Sequence, residues 1–266
     1  MGGSTVLVGW GLAVALVLLL VIATGTATAL HLGLSRQVLV AVVRAVVQLA
    51  AVSSVIVVVA RSLWLSALFV LVMFTVAAWT SARRVARAGG ASATWLPIAA
   101  GVVPVLAVVL ACGAVPLTGI AVVPVAGIII GGTMTATSLA GRRALDELDT
   151  RHGEYEAGLS LGLLERDAAL EICRPAATQA LVPPLDQTRT VGLVTLPGAF
   201  VGVLIGSGSP VQAGAAQLLV LVGLLAAEVI AVLVTVELVA SGRIGRRPGR
   251  AQVRRRPRWP RPRALG

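Results

Sequence analysis

The sequence predicts an all-α fold: a polytopic transmembrane helical bundle of about seven spans, N-terminus outside and C-terminus cytoplasmic. Three observations predict it. Hydrophobic residues make up 57% of the 266-residue chain and charged residues 12%, whereas about a quarter of a soluble domain is charged. Apolar runs of membrane-crossing length recur along the chain. The basic residues are all Arg, and they gather in a few stretches between the runs and at the C-terminal end.

A hydrocarbon core about 30 Å thick takes about 20 helical residues. Apolar runs near that length fall at 5–30, 38–59, 63–81, 96–115, 120–140, 190–206 and 211–240, the sixth being the shortest. Met1 to Thr5 lacks the basic n-region of a signal peptide, and the first run is too long for an h-region, so it reads as a retained span. Trp64, Trp79 and Trp95 stand at run ends, where an indole keeps its ring in the interface and its N–H wet.

Arginine sets the orientation. The 81–95 link holds Arg83, Arg84 and Arg87, the 141–189 loop holds six Arg among nine acids, and ten Arg lie between Arg243 and Arg263. The links near 116–119 and 207–210 hold none. The positive-inside rule places the long loop and the tail in the cytoplasm, two spans apart. The chain therefore divides into a transmembrane domain, 1–240, with a cytoplasmic loop at 141–189, and a disordered Arg/Pro-rich tail, 241–266. A basic tail beside a span touches anionic lipid, so the expected surroundings are the bilayer of the cell membrane, with no nucleic acid.

Within the loop, Asp146, Glu147 and Asp149 suit the first turn of a helix. Glu156 and Ala157 open a short helix that Gly162 ends or bends. Ala168, Ala169 and Ile172 form an apolar stripe, and Pro175 and the pair Pro183-Pro184 break helix before the next span. The order Glu156-Ala157, four residues, Gly162, nine residues, Ile172 and then Pro175 resembles the cytoplasmic loop by which ABC-transporter permeases grip their ATPase subunits. That resemblance implies an ATPase-coupling role for Glu156, Ala157, Gly162, Ile172 and Pro175. The chain has no Lys, so it cannot form the phosphate-cradling G-x-x-x-x-G-K-[ST] loop. No catalytic residue is expected here. ATP and Mg belong to a separate ATPase subunit, no cofactor is bound by this chain, and two membrane halves imply a homodimer.

Three further stretches are Arg44 to Leu49 (RAVVQL), Pro124 to Met134 (PVAGIIIGGTM) and Thr190 to Gly198 (TVGLVTLPG). With the loop they resemble the FetB-type permeases, a bacterial iron-export ABC family related to plant aluminium-tolerance half-transporters. The resemblance runs from about Arg44 to Glu237 and implies a permease exporting iron or another metal ion. One departure is local: the resemblance leads one to expect Gly-Asn before the Met of the fifth span, where this chain has Gly131-Gly132, so a carboxamide is missing.

Gly127 and Gly131 are spaced i,i+4, as are Gly198, Gly202 and Gly206, which suits close helix packing. Pro124 and Pro197 can open the hydrogen-bond ladder. Arg44 and Gln48 share a helix face, and with Thr133, Met134 and Glu228 they are the translocation-path candidates. Of eleven acids, only Glu228 and Glu237 lie outside the loop. Glu228 is mid-span, where pairing with Arg44 or protonation would satisfy it, and Glu237 is expected to be solvated at the membrane edge. Cys112, Cys173, His31 and His152 are scattered, so no disulfide or metal cluster is indicated and any metal ligands are unknown. Three alternatives remain: a proton-coupled secondary transporter using Glu228, an ABC permease for an organic cargo such as a nucleotide sugar, and a membrane scaffold.

Overall fold

A computed structural model describes residues 9–31, 33–85 and 93–245. The N-terminal residues before Gly9, Arg87 and most of the basic tail lie outside the described residues, so its expected disorder does too. The chain forms two compact units, 1–59 and 60–266. In the first, α1 (Trp10–Ala29) and α2 (Ser35–Ala60) are joined by a turn with His31 at φ 51° and Gly33 at φ 65°. Thr24, Thr26 and Thr28 donate their hydroxyls to carbonyls one turn back, at 2.7, 2.8 and 2.9 Å. Each polar group is thus satisfied within its own helix, as an apolar solvent demands.

The second unit contains α3 (Leu63–Val85), α4 (Trp95–Ala111), α5 (Gly119–Thr150), α6 (His152–Ser160) and α7 (Glu165–Thr178). A 3-10 turn (Gln179–Leu181), α8 (Val182–Thr190), α9 (Gly198–Ser207) and α10 (Pro210–Ala240) follow. The described residues are helical apart from their connections, and one isolated bridge, Val191 to Thr195, closes a turn. Helices α1, α2, α3, α5 and α10 are long and apolar enough to cross a membrane. The 17 residues of α4 rise about 26 Å, slightly less than the core's thickness.

Two buried clusters organise this unit. Around Ala77, Ile98, Val102, Ala126, Ile129 and Ala227, helices α3, α4, α5 and α10 pack against one another. Small residues set the approach: a Cβ on Gly101 would strike the Ala227 carbonyl oxygen, and one on Gly127 would lie 2.8 Å from Met73 Cε. The second cluster joins the distal ends of α5 and α10 to α7 through Ala140, Ala144, Leu148, Ile172, Cys173 and Val236. Ile244, 1% exposed, closes it, so residues just past α10 are packed where the composition suggests a tail.

Three sequence expectations change. First, α5 runs to Thr150 instead of ending near 140. Asp146, Glu147 and Asp149 therefore lie in its last turns, on the wrong side of the dipole. Arg151 answers one of them, its Nη1 lying 3.7 Å from Glu147 Oε1. The extension persists because Ala140, Ala144 and Leu148 continue a buried stripe at i,i+4 spacing. Second, Pro175 lies inside α7, and Pro183-Pro184 opens α8 instead of ending a helix. Proline costs little in a first turn, where its missing N–H has no partner to lose. Third, the sixth apolar run is broken: beyond Thr190, which ends α8, only its part in α9, Gly198–Ser207, is helical. Ten residues rise about 15 Å, half a bilayer core.

That sixth segment climbs as a broken path. Phe200 N–H donates to Gln217 Oε1 at 3.2 Å, near the start of α10. Arg166 of α7 binds Glu237, near its end. Twenty residues of α10, about 30 Å of helix, separate those two attachments. The chain covers that rise through α8, the turn at 191–197 and α9.

Candidate functional site

The polar region after α5 is a helix–turn–helix. α6 ends at Ser160, and Gly162 follows at φ 92°. Gly162 N–H donates to Leu159 O at 3.0 Å and Leu163 N–H to Gly158 O at 3.1 Å. This pair of bonds is a Schellman cap, which requires a left-handed residue and so selects glycine. Gly158 lets α7 approach: a Cβ there would lie 3.3 Å from Ala168 Cβ.

The five coupling candidates divide by face. Glu156 and Ala157 are exposed on α6, and Glu156 Oε1 lies 3.3 Å from His152 Nε2. They sit in the middle of α6, which begins at His152, not at its opening as expected. Ile172 is buried in the second cluster, where a fully buried aliphatic side chain contributes about 1.5–3 kcal/mol. Pro175 is exposed and lines a groove of about 310 Å³ with Arg143, Asp146, Glu147, Ala176 and Gln179. Arg143 Nη1 crosses that groove to Gln179 Oε1. At the hairpin tip, Leu161 and Leu164 are 86% and 70% exposed. Sequence reasoning missed this pair, although two leucines flanking a glycine turn in a polar loop were a visible signal.

Electrostatics fixes the hairpin's start and its base. Arg151 Nε donates to Glu154 Oε1 at 2.8 Å, which holds the Glu154 carboxyl below the usual range and the guanidinium above its own. Burial raises the Tyr155 phenol, whose ring stacks on His152 at 5.9 Å. Burial also pushes the Cys173 thiol up to about 12. Glu237, expected to be simply solvated, is instead held by Arg166: Nε to Oε1 at 2.5 Å and Nη2 to Oε2 at 2.8 Å. The ion pair ties α7 to α10 across 71 residues of sequence.

The path candidates are dispersed. Arg44 and Gln48 are exposed on α2, in the first unit. Thr133 is buried and donates to Ile129 O at 2.6 Å, and Met134 packs against the first cluster. Glu228 is 5% exposed on α10. Of the packing glycines, Gly127 meets Met73, but Gly131, Gly198, Gly202 and Gly206 meet nothing within 4 Å among the described residues. Pro124 lies inside α5, and Pro197 precedes α9 as its N-cap, so it interrupts no helix. No group of three or more His, Cys, Asp or Glu among the described residues could hold a metal ion.

Comparison with known proteins places these features. The chain is 33% identical over 204 residues to the "UPF0014 membrane protein STAR2" of rice, covering 75% of this chain and 71% of that protein. It is 31% identical over 194 residues to the "Probable iron export permease protein FetB" of Escherichia coli, covering 71% and 74%. It is 33% identical over 154 residues to "Protein ALUMINUM SENSITIVE 3" of Arabidopsis thaliana, covering 57% and 56%. No solved structure matches. The resemblance to FetB-type permeases is thus borne out, and the chain is a multi-pass protein of the cell membrane. Residues 10–242, from the first residue of α1 to just past α10, match the uncharacterised protein family UPF0014, and the chain belongs to that family.

Proposed function

We propose that this chain is the permease subunit of an ABC transporter that exports a metal ion, iron foremost, as a homodimer driven by a separate ATPase subunit. The hairpin carries this reading. It presents Glu156, Ala157, Leu161 and Leu164 outward, while Ile172 and the Arg166–Glu237 pair fasten its inner side to α5 and α10. A partner pushing on that outer face would move the ends of two long helices together. The cargo follows from the relative named as a probable iron export permease. ATP and Mg would bind to the partner, since a chain without Lys has no phosphate loop of its own. The hairpin and the arginine-rich tail would face the cytoplasm.

Reconstitution with the partner ATPase tests this. Gly162→Pro is expected to abolish permease-stimulated ATP hydrolysis and metal efflux, because proline fixes φ near −65° whereas the cap holds +92°. Glu156→Ala is expected to weaken stimulation while leaving the fold intact. Metal efflux from vesicles lacking any ATPase would overturn the proposal.

A further inference from the structure

The carboxylate in the middle of α10 is accounted for by neither the hairpin nor the helix packing. Glu228 lies eleven residues after Gln217 and nine before Glu237, between the two attachments of α10. It is 5% exposed, and its Oε2 has no hydrogen-bond partner among the described residues. Ionised or protonated, that oxygen carries its desolvation penalty without compensation. An intramembrane ionisable group in this state is kept for a ligand or a pathway more often than for the fold.

The facing helix is shaped to admit it. A Cβ on Gly132 of α5 would lie 2.7 Å from Glu228 Oε1 and would also strike Leu224. Any side chain at 132 would therefore displace the carboxylate. Gly131, beside it, has open space where its own Cβ would be. One other buried side-chain oxygen among the described residues lacks a partner, Thr137 Oγ1, one helical turn along α5 from Thr133. No protein cation stands at this level on the packed helices: α4 and α9 contain no ionisable side chain, and the first on α5 is Arg142, ten residues beyond Gly132 and about 15 Å along the axis.

We propose that Glu228, seated in the notch that Gly132 leaves in α5, is a ligand for the transported cation, a divalent oxygen-preferring metal such as Fe²⁺ or Mn²⁺. Only the word "transported" rests on the export reading; binding itself does not. Carboxylate oxygens suit hard to borderline ions, and no thiolate or imidazole of the second unit stands beside Glu228 to favour a soft one. Cys173 and His152 belong to the hairpin, and Cys112 follows the far end of α4. One carboxylate among few ligands also gives a site that a passing ion can leave.

The test uses the purified full chain in nanodiscs without any ATPase, titrated with Mn²⁺ and, under anaerobic conditions, with Fe²⁺. Bound metal is measured by equilibrium dialysis. Glu228→Gln is expected to weaken binding at least tenfold, and Gly132→Ala to do the same by pushing the carboxylate aside. Gly131→Ala, in open space, is expected to bind like the parent. Thermal unfolding of each variant shows that it is folded, and either of the first two alone decides the matter. A parent chain that binds neither ion, or a folded Glu228→Gln that binds like the parent, overturns the assignment. Because no ATPase is present, that failure would leave the coupling proposal standing, and failure of the ATPase experiment would leave this site standing.

Discussion

Reversing the charge of Arg166 asks whether the α6–α7 hairpin acts on α10. Its guanidinium grips Glu237 through two hydrogen bonds of 2.5 and 2.8 Å. Both side chains are about half exposed, at 51% and 44%. Solvent screening therefore keeps the pair's contribution to stability small, although its bidentate geometry is favourable. Arg166→Glu forfeits that and sets two carboxylates against each other, yet the loss is too small to unfold a unit built on two buried clusters. Helix propensity does not confound the result, since α7 begins at Glu165 and an acid in its first turn is favoured by the dipole. The assay is permease-stimulated ATP hydrolysis by the proposed ATPase partner, read as a double-mutant cycle with Glu237→Arg. Each single reversal is expected to lower stimulation about fivefold, and the double reversal to recover most of it. If the two losses simply multiply in the double variant, the pair transmits nothing between α7 and α10. If the single variants stimulate normally, the hairpin acts on α10 through its buried face alone.

Two further outcomes follow from burial. The Cys173 thiol, raised to about 12, is far above the ~8.5 of an unfolded cysteine. The folded chain holds that proton more tightly, so the associated stability is complete below about pH 8.5 and is lost as pH rises from there towards about 12. A maleimide probe at pH 8 is therefore expected to label Cys173 only after denaturation, and rapid labelling of the folded chain would contradict the packing of α7 on α5. Gly101→Val places its Cβ on the Ala227 carbonyl oxygen and about 3 Å from Thr133 Cγ2, and neither backbone can yield cheaply. It is expected to cost at least ~2 kcal/mol, seen as a lower Tm in detergent, whereas Gly131→Ala should leave Tm unchanged or higher because alanine is the better helix former.

Much of this architecture was legible because a span is a property of composition over some twenty residues. The runs at 38–59, 63–81 and 211–240 became α2, α3 and α10 with ends shifted by a few positions. Gly162 was legible too, since a glycine closing a short polar helix has few other uses. The rest depended on contacts between distant residues. Hydropathy ends α5 near 140, but Ala144 and Leu148 continue its buried face because α7 lies there to receive them. Glu237 looks like a solvated edge residue until the fold brings Arg166 to it. Glycine spacing marks Gly131 and Gly198 as readily as Gly127, yet of the three only Gly127 meets a neighbouring helix among the described residues. Gly101 and Gly132, which stand in no such repeat, make closer approaches than Gly127 does.

Position 132 joins these threads. Taken alone, the sequence there suggests a loss, because the resemblance leads one to expect a carboxamide and the chain offers glycine. The fold shows that the space beside Gly132 is occupied by a carboxylate, delivered from α10 on the opposite side of the contact. A polar oxygen therefore still faces α5 at this level, but it sits on the helix whose C-terminal end is gripped by Arg166. Displacement of α7 by a partner would act on α10 nine residues from that carboxylate, about 14 Å along a continuous helix. An acid on α5 would be moved through the buried stripe of Ala140, Ala144 and Leu148 instead. Under this arrangement the hairpin and the carboxylate share one rigid element, so an ion held by Glu228 would feel the partner's push directly.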